Sequence, residues 1–240
     1  MKNSVWAFLF LGVCLMYTSG LSASNIPLDP FDELTVTGNI EVELVKAAEE
    51  SMEVEDDFSK LRFEVINGIL RIKRRKLYSI REYEDPPIRI RLNYKDIRSV
   101  KAVAGAFVST GEQALESNIL RLRFGSGARG KLTLKVEELS INMTEGAQLK
   151  LRGEAVSQET AVTTGAILDA HRLDSRRASV RAGTGGEVEV SVSEYIYANA
   201  NTGGDIEYHG EPERVRIKDS LGGDVSPKFY SKGKRKRTKL

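Results

Sequence analysis

The chain has 240 residues, 36 basic against 34 acidic side chains, a formal charge of +2, two histidines and a single cysteine. Charges this balanced exclude a nucleic-acid module built on a basic face. So few histidines and cysteines leave little for a zinc hydrolase, a Ser-His triad or a disulfide framework.

At the start, Lys2 precedes an apolar run from Val5 to Met16, and small residues follow at Ser19, Gly20, Ser22, Ala23 and Ser24. This is the pattern of a secretory signal, expected over residues 1–24 with cleavage between Gly20 and Ser24. An uncleaved anchor is the alternative, but the run falls short of the roughly 20 residues a span needs. Cys14 lies inside this segment behind Val13, where lipidation wants a small residue, so the mature chain is expected to have no cysteine and no disulfide.

Residues 25–227 are expected to form one elongated domain. Its opening, Phe31 to Leu44, alternates strictly around Gly38 and predicts two strands joined by a corner. A short helix is possible near Asp56 to Leu61, and Val65 to Ile72 predicts a hairpin turning on Asn67-Gly68. The charged stretch Lys73 to Asp85 reads as an exposed loop, with the run Lys73-Arg-Arg-Lys76 a solvated turn. Ile88, Ile90, Leu92 and Tyr94 predict a further strand.

The second half is periodic. Gly127, Gly146, Gly165, Gly185, Gly203 and Gly222 follow one another at steps of 19, 19, 20, 18 and 19 residues. Alternating apolar residues precede each: Leu120, Leu122 and Phe124; Leu139, Ile141 and Met143; Ala178, Val180 and Ala182; Ile196, Ala198 and Ala200; Val215 and Ile217. Before Gly165 only Val162 is clearly apolar, the weak unit of the set. A second alternating strand follows each corner, as in Val188, Val190 and Val192. A repeat of this size predicts stacked units that share one core. The expected fold is all-β, a right-handed parallel β-helix-like solenoid of about 19-residue rungs, continued by the strand-rich N-terminal region. An antiparallel sandwich is the competing reading, but hairpins do not demand the same residues in phase across six units.

Three segments carry a resemblance to a known family: Val36-Thr-Gly38-Asn-Ile40-Glu-Val42, Asn67-Gly68-Ile-Leu70-Arg-Ile72 and Ile88-Arg-Ile90-Arg-Leu92, together with the repeated Gly-Ala or Gly-Gly corners. From Asp29 to Pro227 the chain resembles the "putative auto-transporter adhesin, head GIN domain" family of exported bacterial proteins. The family's Ser-Gly-Ala corner is kept at Ser126-Gly127-Ala128 and varied elsewhere. The resemblance implies a β-helical cell-envelope protein with a proposed adhesin role, and it carries over no catalytic residue.

The residues themselves offer little catalytic chemistry. Gly125-Ser-Gly127-Ala-Arg-Gly130 matches a dinucleotide fingerprint, but Leu132-Thr-Leu134-Lys-Val136 after it is a strand and not the helix that binding requires. No cofactor is expected. His171 and His209 stand far apart in the sequence, and no metal site is expected. Glu187, Asp205 and Asp224 share one place in successive rungs, which reads as solvated turn acids or, less simply, as a column for a hard cation.

A sharper signal follows from the register. With Ala178, Val180 and Ala182 inward, Arg177, Ser179 and Arg181 point outward; Tyr195, Tyr197 and Asn199 take those places one rung on, then Arg214, Arg216 and Lys218. The candidate ligand-binding face is therefore Arg177, Arg181, Tyr195, Tyr197, Asn199, Arg214, Arg216 and Lys218. Tyrosines among cations suit a flat or anionic ligand such as an acidic glycan; an ordinary solvent face is the alternative. Residues 228–240 hold seven cations and no acid, and are expected to be a disordered basic tail. Removing those seven and Lys2 turns the charge of +2 into −6 for the body. Such a tail either blunts an exposed sheet edge or attaches to anionic lipid.

The expectation is thus a non-enzymatic module exported to the periplasm or surface of a bacterium, which binds or scaffolds. Its expected partner is an envelope polysaccharide or another anionic surface, with no nucleic acid and no transmembrane segment in the mature chain. A glycan-active β-helix enzyme and a purely structural assembly module are the alternatives.

Overall fold

The structure, a computed structural model, describes residues 24–55, 58–75 and 86–228. The expected signal segment up to residue 23, residues 76–85 of the charged loop and the tail beyond Lys228 lie outside the described residues. So do Asp56 and Asp57, at the start of the expected short helix; Phe58–Lys60 form one 3-10 turn.

The first strands are β1 (Ser24–Pro27), β2 (Glu33–Thr37), β3 (Ile40–Lys46), β4 (Ser51–Val54), β5 (Leu61–Ile66), β6 (Ile69–Arg74), β7 (Ile88–Tyr94), β8 (Ser99–Val103) and β9 (Phe107–Thr110). They are followed by β10 (Leu115–Phe124), β11 (Arg129–Met143), β12 (Gln148–Thr163), β13 (Ile167–Gly183), β14 (Glu187–Asn201), β15 (Asp205–His209), β16 (Arg214–Ser220) and β17 (Asp224–Pro227). From β10 onward each strand pairs in parallel with its counterpart one rung away. One column reads Leu120, Leu139, Gln158, Ala178, Ile196, Val215. Parallel pairing between successive repeats decides for the solenoid, because a meander of hairpins pairs successive strands antiparallel. The stack has about seven turns at a spacing of roughly 19 residues.

At each of the six periodic corners two consecutive residues lie in the left-handed region, for example Thr184 at φ 51° and Gly185 at φ 71°. A Cβ on Gly185 would meet nothing within 4 Å, so glycine is there for its φ and not for space. The reverse holds for Gly186, where a Cβ would sit 2.4 Å from the carbonyl oxygen of Val162. Ala104-Gly105, 22 residues before Gly127, makes a further corner of the same geometry that the regular step does not reveal. The corners are also tied vertically: the N–H groups of Gly127, Gly146 and Gly165 donate to the carbonyls of Glu145, Thr164 and Thr184 one rung on.

The inward columns make one continuous core in which Leu120, Leu122, Val180, Ile196 and Ala198 are fully buried. The weak rung before Gly165 fills its share with polar groups. The Gln158 amide donates to Thr160 Oγ1 (2.8 Å), and the Ser175 hydroxyl donates to Gln158 Oε1 (2.9 Å), which leaves the buried trio satisfied.

The N-terminal region continues the stack out of chain order. The rung of β2 and β3 lies between the rung of β6 and β7 and that of β8 and β9. On the far side β5 pairs with β6, and β4 with β7, both antiparallel, and β1 pairs with β4. The expected hairpin is present, with Asn67 at φ 52° and Gly68 at φ 75° between Ile66 and Ile69. Arg74, placed in a solvated turn by its charged run, instead donates to the carbonyls of Asn39 and Pro86 and clamps the first corner. That end of the solenoid is therefore covered. At the other end Val215 and Ile217 remain 44% and 43% exposed, and Asp219 stands in register above the buried Ala200. An inward-pointing charge on a terminal rung disfavours addition of another strand.

Candidate functional site

Each rung has a strand before its corner and a strand after it, and each wall carries one group of polar side chains. On the wall before the corner, pairing builds three rows across four rungs. These are Ser157–Arg177–Tyr195–Arg214, Glu159–Ser179–Tyr197–Arg216 and Ala161–Arg181–Asn199–Lys218. The eight residues singled out by the sequence are thus brought together on one face. With rungs about 4.8 Å apart and alternate residues about 6.6 Å apart, the last three rungs present a patch of roughly 10 by 13 Å.

The alternation that buries Ala178, Ile196 and Ala198 leaves the arginines and Lys218 exposed and the tyrosines half-buried. The Arg214 guanidinium lies 5.6 Å from the Tyr195 ring centroid, and that of Arg216 lies 5.8 Å from Tyr197. This changes the role assigned to the rings. Each tyrosine supports the arginine of the next rung, an exposed cation–π contact worth about 0.5–1 kcal/mol, instead of lying open as a stacking platform. The result is two guanidinium forks held side by side. Arg181 is paired with Glu159 at 3.1 Å, whereas Arg177, Arg214, Arg216 and Lys218 have no carboxylate at ion-pair distance among the described residues.

The wall after the corner is acidic. Glu187, Asp205 and Asp224 stand in register as expected, and Glu189 pairs with Glu207 beside them. Burial, together with the neighbouring Glu207 and Asp224, pushes the Asp205 carboxyl above its ordinary value. Lys228, the first residue of the expected tail, is held against this wall. Its backbone N–H donates to the Tyr208 carbonyl, and its ammonium contacts Glu189 (3.2 Å) and Glu207. Those two carboxylates hold the lysine above its ordinary pKa.

On this same wall the structure corrects the reading of the histidines as far apart. The rings of His171 and His209 lie 5.7 Å apart, centroid to centroid, with Asp169 and Glu189 beside them. Their 38-residue separation is two periods of 19, and each stands six residues past its corner glycine, Gly165 and Gly203.

A third feature is an open groove of about 770 Å³ along the second bend of the rungs, lined by Glu116, Glu137, Glu154, Asp174, Arg176 and Glu211 among others. Sequence reading missed it, because a positive-φ glycine stands by the bend at Gly153 and Gly210 alone and makes no repeat there.

A family model matches residues 30–212. Among solved structures, a putative adhesin from Bacteroides fragilis is similar at 13% identity and a TM-score of 0.77, over 85% of this chain and 95% of that one. A putative adhesin from Parabacteroides merdae is similar at 16% identity and a TM-score of 0.67, over 86% and 95%. A putative lipid binding protein from Parabacteroides distasonis is similar at 18% identity and a TM-score of 0.64, over 86% and 96%. No curated protein matches the sequence significantly. These identities show a shared fold, and the span of the family model adds membership: the chain belongs to the family described as "putative auto-transporter adhesin, head GIN domain".

Proposed function

We propose that the protein is a non-enzymatic, adhesin-type binding module of the bacterial cell envelope, and that it holds an acidic glycan on the rows formed by Arg177, Arg181, Tyr195, Tyr197, Asn199, Arg214, Arg216 and Lys218. The observation that carries this reading is the paired stacking of Arg214 on Tyr195 and Arg216 on Tyr197. Two planar forks fixed on alternate positions of one strand suit a chain of carboxylate or sulfate groups, each contact being a charge-assisted hydrogen bond of about 1.5–3 kcal/mol. A rigid parallel stack also presents this face with little ordering cost. The adhesin family and its export pattern support the location, and no helix among the described residues is long and apolar enough to cross a membrane.

Screening the untagged mature chain on an array of neutral and acidic glycans tests this. Binding is expected to select uronic-acid or sulfated chains, and Arg214→Ala with Arg216→Ala is expected to weaken it at least tenfold and flatten its salt dependence. Selection of neutral sugars, or full binding by the double variant, would refute the assignment.

The 770 Å³ groove supports a second reading, a glycan-active enzyme, because Glu137, Glu154 and Asp174 line it. Paired carboxylates across a sugar are the requirement for glycoside cleavage. The same array scored for shortened products separates the readings, with Glu137→Gln and Glu154→Gln as controls.

A further inference from the structure

We propose that Asp169, His171, Glu189 and His209 form a site for one first-row divalent cation of the zinc type, on the wall opposite the arginine rows across the corner. The site is independent of the proposed glycan face.

Three strands converge on it. Asp169 and Glu189 are register partners on β13 and β14, and His209 closes β15 as the partner of Ser191. His171 comes from the bulged stretch of β13, where Ala170 and His171 together face the single Leu151 of β12. That extra residue belongs to the one rung of 20, between Gly165 and Gly185.

The donor atoms are near coordination distances. One oxygen of Glu189, Oε2, lies 3.8 Å from His171 Nδ1 and 3.6 Å from His209 Nε2. Bonds of about 2.0–2.1 Å in a tetrahedron separate ligand atoms by about 3.4 Å, so these two edges need to close by only a few tenths of an ångström. Asp169 Oδ1 lies 2.5 Å from His171 Nδ1, and the donor atoms of Asp169, His171 and Glu189 all fall within 4.8 Å of one another. The Arg172 Nε–H donates to His171 Nε2 at 3.2 Å, which places the imidazole proton on Nδ1, shared with Asp169. A cation takes the place of that proton. The proton leaves to solvent, and the Asp169–His171 edge opens to the tetrahedral distance.

The outer oxygens carry the second half of the argument. Glu189 Oε1 is held by Lys228 at 3.2 Å and Asp169 Oδ2 by Lys150 at 3.6 Å, so each carboxylate is anchored from outside and turns its other oxygen to the imidazoles. Such outer contacts are what orient the ligands of a metal centre. A groove of about 490 Å³, lined by Lys150, Asp169, Glu187, Glu189, Glu207 and Lys228, leads to the place, and its acidic walls favour entry of a cation. Two imidazoles with two carboxylates select zinc or a neighbouring transition metal over calcium or magnesium, which want oxygen alone.

His171 and His209 are the only histidines in the chain, so an untagged protein gives an unambiguous test. Calorimetric titration of the full mature chain with Zn²⁺ is expected to show one ion per chain, at least a hundredfold tighter than Ca²⁺ or Mg²⁺. Co²⁺ is expected to give the intense visible absorption of a four-coordinate nitrogen–oxygen site. His171→Ala and Glu189→Gln are each expected to weaken Zn²⁺ at least tenfold while the metal-free melting temperature stays within a few degrees. His209 is buried, so if His209→Ala lowers the metal-free melt, the other two variants carry the test. Absence of one-to-one binding, a preference for Ca²⁺, or unchanged Zn²⁺ affinity in His171→Ala would each overturn the proposal.

Discussion

Val180 is fully buried on β13, in register between Thr160 and Ala198, and it reports directly on the inward column. Val180→Ala removes two methylene equivalents at about 0.8 kcal/mol each. Hydrogen-bonded rungs above and below cannot close the gap, so a cavity term brings the loss to about 2–3 kcal/mol. In a domain of this length that lowers the melting temperature by roughly 5–10 °C. Val180→Asp adds an unpaired buried charge of about 3–5 kcal/mol, a total comparable with the whole stability of a typical domain. Ser179→Asp, one residue away on the outer row, is expected to change stability by less than about 1 kcal/mol. Thermal unfolding followed by circular dichroism measures all three. Equal tolerance at Val180 and Ser179 would refute the inside–outside assignment on which the arginine rows depend.

Tyr94 is buried and its hydroxyl is pushed up to about 12, chiefly by desolvation and then by Glu116 and Asp96. A raised folded value contributes stability below the unfolded value near 10, lost as pH rises from there through about 12. Tyr94→Phe is therefore expected to move the alkaline unfolding midpoint to higher pH, and an unchanged midpoint would contradict the reasoning. The Asp205 carboxyl is also raised, so its relative stabilisation exists only in acid and is lost as pH rises through the folded value. Asp205→Asn should raise the melting temperature at pH 7 and lose that advantage near pH 3; an equal shift at both would count against it. Truncation after Lys228 keeps the contacts to Glu189 and Glu207 but removes the remaining six tail cations. If the tail protects the open end at Val215, Ile217 and Leu221, light scattering should show concentration-dependent oligomers with unchanged binding to anionic vesicles. A monomer that no longer binds such vesicles would assign the tail to lipid.

The parallel stack was legible because its cause is local. Each corner needs two residues at positive φ, and each rung repeats the same alternation, so the period appears directly in the residues from Leu120 to Ile217. The arginine and tyrosine rows were legible for the same reason, since register alone makes them neighbours. What the sequence hid depends on pairing across distance. Between Lys46 and Ser99 the chain covers the end with antiparallel β4 and β5, adds the rung of β6 and β7 on one side of β2 and β3, and then returns on their other side as β8 and β9. No local signal marks that order. The rung before Gly165 looked weak because Gln158, Thr160 and Ser175 satisfy one another only once they are buried together. The two histidines share one place, six residues past Gly165 and Gly203, but Ser191 holds that place in the rung between them, so the column is broken in the sequence. The cation–π stacking was likewise invisible, and it turned the tyrosines from a platform into supports.

The central claim is that a ligand sits on the rows of the last rungs, and backbone NMR shift mapping during titration with a short acidic oligosaccharide tests it most directly. The account predicts shifts concentrated at Arg177, Tyr195, Tyr197, Arg214, Arg216 and Lys218, which shrink as salt rises. Shifts clustered instead at Glu137, Glu154 and Asp174 in the groove, or none at saturating oligosaccharide, would contradict it.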